Sequence, residues 1–124
     1  MSEYVLVVDD EPMVRRFAAR VLRDEGFGVH EAGDGAEALE LIRAGIAELE
    51  VVLSDIVMPR MDGVQLLQSL STLRPNLPVI LMSGYATDQL AELGIASPCG
   101  VLAKPFSPEA LVAEVRRCIR SILN

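Results

Sequence analysis

Five short apolar runs, each followed by a segment of helical periodicity, constrain this chain more than any other feature. The runs are Tyr4 to Val8, Gly28 to Ala32, Val51 to Ser54, Val79 to Met82 and Gly100 to Ala103. They are short and rich in Val, Ile and Leu, as strands buried on both faces are. The second run is the exception: Val29, His30 and Glu31 mix polar with apolar, which predicts an edge strand. Between the runs, Val14, Phe17, Ala18, Val21 and Leu22 recur at helical spacing behind Pro12, a residue suited to a first helical turn. Asp34 with Glu37, and Asp62 with Gln65, each read as a helix cap with its reciprocal partner. Pro75 stops the helix through Leu66, Leu67, Leu70 and Leu73. Thr87 predicts a short helix through Leu90 and Leu93, closed by Gly94. Ser107-Pro108-Glu109 opens the last helix, whose stripe is Leu111, Val112, Val115, Cys118, Ile119 and Ile122.

Strict strand–helix alternation predicts an α/β fold with a doubly wound, five-stranded parallel sheet. Right-handed crossovers suit the strand order 2-1-3-4-5 and put the switch point between the first and third strands. A site is then expected at the carboxyl ends of those strands. The 124 residues suit a single domain over 1–124.

Those strand ends carry chemistry. The first strand ends in Asp9-Asp10-Glu11, the third in Asp55, the fourth in Ser83-Gly84 and the fifth in Lys104-Pro105. Three carboxylates brought together repel, raising the pKa of at least one, and a divalent cation removes the conflict. Mg²⁺ takes oxygen ligands and keeps positions open for water and phosphate, so Asp9, Asp10 and Asp55 read as its site, with Mn²⁺ as a substitute. A plainer reading, acids that favour the start of a helix, suits Glu11. It does not suit two adjacent acids directly after a buried strand. Asp55 emerges from the core where a carboxylate can attack phosphorus. Phosphoryl transfer asks mainly for positioning and charge neutralisation, which Ser83 and Lys104 can supply. Lys104 is the sole lysine among 11 basic residues, in a chain that otherwise uses arginine. A compact ammonium suits a tight pocket.

With these motifs in view, the chain resembles bacterial response-regulator receiver domains over essentially its whole length. The resemblance is carried by Val7-Val8-Asp9-Asp10-Glu11-Pro12, Ser54-Asp55-Ile56-Val57-Met58-Pro59 with Met61-Asp62-Gly63, Met82-Ser83-Gly84, and Lys104-Pro105-Phe106. It implies that Asp55 accepts a phosphoryl group from a phosphohistidine on a histidine kinase or phosphotransfer protein. It implies a metal held by Asp9, Asp10, Asp55 and the Val57 carbonyl, with Asp10 the more direct of the acidic pair. Ser83 and Lys104 would contact the phosphoryl group, and Pro105 would follow a cis peptide. Where many relatives carry a switch aromatic, this chain has Val101, with Tyr85 nearby. A swinging-ring mechanism is therefore not expected to transfer unchanged. The resemblance also implies a regulatory phosphoacceptor that catalyses only its own transfer and dephosphorylation. The chain would stand alone or belong to a hybrid histidine kinase, with no output domain after Asn124.

Other functions are disfavoured. Acidic residues outnumber basic ones 18 to 11 with no basic cluster, against direct nucleic-acid binding. No apolar run approaches the ~20 residues of a membrane helix, and a cytoplasmic location is expected. A flavodoxin-like FMN binder would need a phosphate cradle after the first strand, where Asp9-Asp10-Glu11 presents negative charge. An aspartate-based phosphatase of the dehalogenase type would space its acids Asp-x-Asp. A pseudo-receiver that only binds partners would not need the complete site. Cys99 and Cys118 read as two reduced thiols, and His30 as a structural residue. Arg116, Arg117 and Arg120 beside the apolar stripe make the last helix a candidate homodimer or docking surface, against the plainer reading of a core-packed helix with a solvated basic face.

Overall fold

A computed structural model of the protein describes residues 3–46, 49–83 and 98–123. The elements are β1 (Tyr4–Val8), α1 (Pro12–Asp24), β2 (Gly28–Ala32), α2 (Gly35–Arg43), β3 (Leu49–Asp55), α3 (Gly63–Leu73), β4 (Val79–Ser83), β5 (Gly100–Ala103) and α4 (Pro108–Leu123). The helix expected from Thr87 to Gly94 lies outside the described residues, as does Tyr85. All strand pairs are parallel, in the order β2-β1-β3-β4-β5. The doubly wound sheet predicted from alternation is the observed one, with β2 at an edge.

Side chains leave a strand alternately to either face, so one apolar run feeds two cores. Val5, Val7, Val51, Leu53, Ile80 and Met82 point to the α1 and α4 side, where they meet Ala18, Leu22, Leu111 and Val115. Leu6, Val8, Val52 and Leu81 point to the other, against Leu39, Ile42, Leu66 and Leu70. This is why the strands show no polar alternation. On edge strand β2, Glu31 pairs with Arg15 and Arg23 of α1, and His30 stacks on Tyr4 with ring centroids 5.2 Å apart.

The helix starts follow their capping chemistry. Asp62 and Gln65 form the reciprocal box at α3. At α2 the Asp34 side chain accepts from the Glu37 amide, but the Glu37 carboxylate accepts from Gly33 N at 3.3 Å instead of closing the box. Ser107 Oγ accepts from Ala110 N at the start of α4. The α4 stripe through Ile119 is spent on the core. Arg116 bonds Glu25 and lies over the Phe27 ring, and Arg117 bonds Glu114 and the Cys99 carbonyl.

One expectation is overturned. Cys99 and Cys118 are joined in a disulfide with their Cα atoms 6.0 Å apart. The physical reason is the crossover after β5: α4 packs back along the strand and turns Cys118 inward over its start. A separation of 19 residues gives no sign of that contact.

Candidate functional site

The carboxyl ends of β1, β3 and β5 converge on one acidic crevice. Asp9 follows β1 directly and is fully buried. Its amide donates to the Ala32 carbonyl at 3.1 Å, and its Oδ1 accepts from Glu11 N at 2.9 Å. Asp10, the next residue, is exposed. Asp55 closes β3, with 15% of its side chain exposed, and its Oδ1 accepts from Ile56 N at 2.9 Å. One carboxylate oxygen from each of Asp9, Asp10 and Asp55 lies within 4.8 Å of the others.

Lys104 comes into this crevice from β5. Its Nζ donates to Asp9 Oδ2 at 2.9 Å and stands 3.3 Å from Asp55 Oδ1. The Lys104 amide donates to the Ser83 carbonyl at 2.9 Å, which ties the ends of β4 and β5 together. The Lys104–Pro105 peptide is cis. Ser83 is buried at the end of β4. Val57 sits two residues past Asp55 in the loop after β3 and is 62% exposed. Val101 is on β5, paired with Leu81 and partly exposed.

Electrostatics follow from this packing. Burial is the largest influence on Asp55 and raises its pKa; the nearby Asp9 charge reinforces burial while Lys104 opposes it. Burial works against the Lys104 ammonium, but its hydrogen bond to Asp9 and the charge of Asp55 outweigh that, and its pKa is raised. One ammonium shared by carboxylates of this density leaves negative charge to be neutralised. The donor set is all oxygen, with Asp10 open to solvent, and so fits a hard divalent cation such as Mg²⁺ or Mn²⁺.

Sequence reasoning missed two supports of the site. The first is a strap across the loop after Asp55. Arg60, at φ 65°, donates from Nε to Asp34 Oδ2 at 2.8 Å, and Gly35 N donates to the Met61 carbonyl at 3.0 Å. Asp34 was legible as a cap, but nothing in the sequence marks Arg60 as its partner. The second is Gly63, whose amide donates to the Ile56 carbonyl at 2.8 Å and whose missing Cβ leaves room for the Asp55 carbonyl.

Asp34→Ala removes both the cap and the strap and is expected to cost about 1–2 kcal/mol in chemical denaturation. Burial pushes the Asp34 carboxyl up, but the Glu37 amide and the Arg60 guanidinium more than offset it and hold it below the ordinary 3.8. The ionised form therefore stabilises the fold. That contribution is complete above the unfolded value and is lost as pH falls through the depressed folded one. Asp34→Asn, which can still cap, should flatten this acid limb of the stability curve. A slope equal to that of wild type would show the strap to be electrostatically idle.

A parallel sheet of order β2-β1-β3-β4-β5 with three carboxylates at its switch point, and a lysine reaching them from the end of β5, has the layout of a doubly wound fold whose site lies at the carboxyl ends of its strands. Residues 5–116 match the response regulator receiver domain, and the chain belongs to that family. It is 42% identical over 119 residues to the sensor kinase CckA of Brucella abortus, covering 95% of this chain and 13% of the kinase. It is 36% identical to the probable transcriptional regulatory protein TcrX of Mycobacterium tuberculosis, covering 94% of this chain and 49% of that one. The chain thus spans a small part of the kinase and about half of the regulator. Among solved structures, a CheY-like receiver domain protein from Methanospirillum hungatei superposes with a TM-score of 0.89 at 26% identity, covering 99% and 98% of the two chains. The receiver domain of the hybrid histidine kinase CckA superposes with a TM-score of 0.77 at 34% identity, covering 94% and 98%. The chain is a regulatory receiver domain of the two-component type. None of its described helices is long and apolar enough to cross a membrane.

Proposed function

We propose that Asp55 is the phosphoacceptor, taking a phosphoryl group from a phosphohistidine on a donor protein. The observation that carries this is Lys104 Nζ held between Asp9 and Asp55, at 2.9 and 3.3 Å, beside the exposed carboxylate of Asp10. An Asp55 oxygen attacks phosphorus, the P–N bond to the donor imidazole breaks, and the imidazole keeps the electron pair. Lys104 neutralises charge on the transferring oxygens, and Ser83, whose carbonyl accepts from the Lys104 amide, would donate its hydroxyl to the phosphoryl group. Asp9, Asp10, Asp55 and the Val57 carbonyl would hold Mg²⁺, which when bound lowers the repulsion between carboxylate and phosphoryl group. The reaction is self-catalysed transfer; hydrolysis of the acyl phosphate, in which water attacks phosphorus and the P–O bond to Asp55 breaks to release inorganic phosphate, returns the domain to its resting state. The domain as proposed works in the cytoplasm, where kinase phosphohistidines are formed.

The test is intact mass after incubation with acetyl phosphate and Mg²⁺. The wild-type chain gains one phosphoryl group, located to the peptide containing Asp55, and Asp55→Ala gains none. Equal gain by both proteins rejects the assignment.

A groove of about 500 Å³ adjoins Lys104, lined by Glu11, Met13, Val14, Phe17, Pro105 and Phe106. Met13 is 80% and Phe17 44% exposed, and Phe17 stacks on Phe106 with centroids 6.1 Å apart. An apolar patch at the mouth of the site suits docking of the donor protein. Met13→Asp is therefore expected to slow transfer from a phosphohistidine protein roughly tenfold, from the ~1–3 kcal/mol an interface apolar contact commands. Acetyl phosphate needs no docking, so its rate should not change. Equal slowing with both donors would place the defect in the chemistry instead.

A further inference from the structure

We propose that Cys99 and Cys118 form a reversible thiol–disulfide site, exchanging with small disulfides and thiols of the glutathione type, whose oxidised state fastens β5 to α4. The disulfide joins the residue before β5 to the inward face of α4. The Cα separation of 6.0 Å lies within the ordinary bridging range, so the bond can form on the fold as it stands.

Access distinguishes the two sulfurs. Cys118 has no exposed surface, whereas Cys99 is only partly buried. A small disulfide can therefore reach Cys99 first. A positive charge adjoins the pair as well. Arg117 Nη2 lies 3.5 Å from Cys118 Sγ and donates to the Cys99 carbonyl at 2.8 Å. The guanidinium thus stands beside the sulfur of Cys118, which attacks in the second step of the exchange. Glu114 accepts from Arg117 Nε and steadies it. Gly100 leaves the space this pair occupies: a Cβ there would stand 2.7 Å from Arg117 Nη2 and 2.9 Å from Glu114 Oε2.

The exchange balances. The Cys99 thiolate attacks one sulfur of the small disulfide, whose S–S bond breaks and releases one thiolate. Cys118 then attacks Cys99 Sγ and the mixed disulfide breaks, releasing the second. Two cysteine protons end on two small thiols, the cysteines are oxidised and the small disulfide is reduced. The consequence falls on β5, which among the described strands is hydrogen-bonded in the sheet to β4 alone. The bond ties the residue just before this strand to α4, five residues before the Lys104 that follows its end.

The test equilibrates the full chain in glutathione buffers of graded potential, then alkylates it natively and reads intact mass. Wild type is expected to convert reversibly between a form with no alkylatable thiol and one with two. Cys118→Ala should trap one glutathionyl group on Cys99, and Cys99→Ser at least tenfold less on buried Cys118. Equal trapping, or thiols that persist in the most oxidising buffer, overturns the site. Amide exchange across residues 100–103 should be at least tenfold slower in the oxidised wild type, and equal rates overturn the fastening. The two wild-type measurements decide the matter even where Cys118→Ala fails to fold.

Discussion

Lys104→Met is expected to lower the stability of the metal-free domain by about 2–4 kcal/mol and to slow phosphoryl uptake at Asp55 roughly a hundredfold. Methionine keeps an unbranched side chain of similar length and removes only the charge and its hydrogen bonds. Asp9 has no exposed surface, and the variant leaves its carboxylate with the Glu11 amide as its remaining side-chain partner among the described contacts. Breaking a buried pair from one side costs about 3–5 kcal/mol because the other charge stays behind. Lys104 is 23% exposed, so water reaches the pair and the lower end applies. Mg²⁺ should restore part of the loss, since a cation at the three carboxylates does the electrostatic work of the missing ammonium. Uptake would not recover in the same way, because Lys104 also meets the incoming phosphoryl group. Urea unfolding with and without Mg²⁺, beside an acetyl phosphate time course, separates the two. A variant that matches wild type in metal-free stability, or takes up phosphoryl within threefold of its rate, would remove Lys104 from the proposed role.

What the sequence disclosed and what it hid divide along physical lines. The strand order was legible because strands buried on both faces cannot alternate polar with apolar, and because Glu31 and His30 betray the one that is not. The acids of the crevice were legible because each stands directly after an apolar run, where sheet topology forces convergence. Contacts set by the angle of one element against another were not. Cys99 meets Cys118 through the way α4 lies on β5. Arg60 meets Asp34 because its backbone turns to φ 65°, a conformation arginine rarely adopts and does not advertise. Glu37 looked like the reciprocal partner of a cap, yet a one-residue difference in the turn sends its carboxylate to Gly33 N. Local chemistry was readable; the aim of a loop was decided by tertiary packing.

Gly63→Ala is expected to cost about 3 kcal/mol, although alanine is the better helix former by about 1 kcal/mol. Gly63 is the first residue of α3, and a Cβ there would collide with the Asp55 carbonyl oxygen and stand 3.0 Å from Ile56 Cα. Both obstacles are backbone, so no side chain can swing away. The crossing is pinned as well: Gly63 N donates to the Ile56 carbonyl at 2.8 Å, and Ile56 N donates to the Met82 carbonyl and to Asp55 Oδ1. Relief of the collision therefore moves the segment that aims the Asp55 carboxylate. The variant should lose apparent Mg²⁺ affinity and phosphoryl uptake along with stability. Gly26→Ala is the control. Gly26 has φ 97° with nothing within 4 Å of an added Cβ, so its cost is backbone strain of about 1–2 kcal/mol, far from the crevice. Both variants are destabilised, but only Gly63→Ala should weaken Mg²⁺ binding, read by titration at a temperature where each is folded. Equal Mg²⁺ affinity in the two would show that α3 can shift without carrying Asp55 with it.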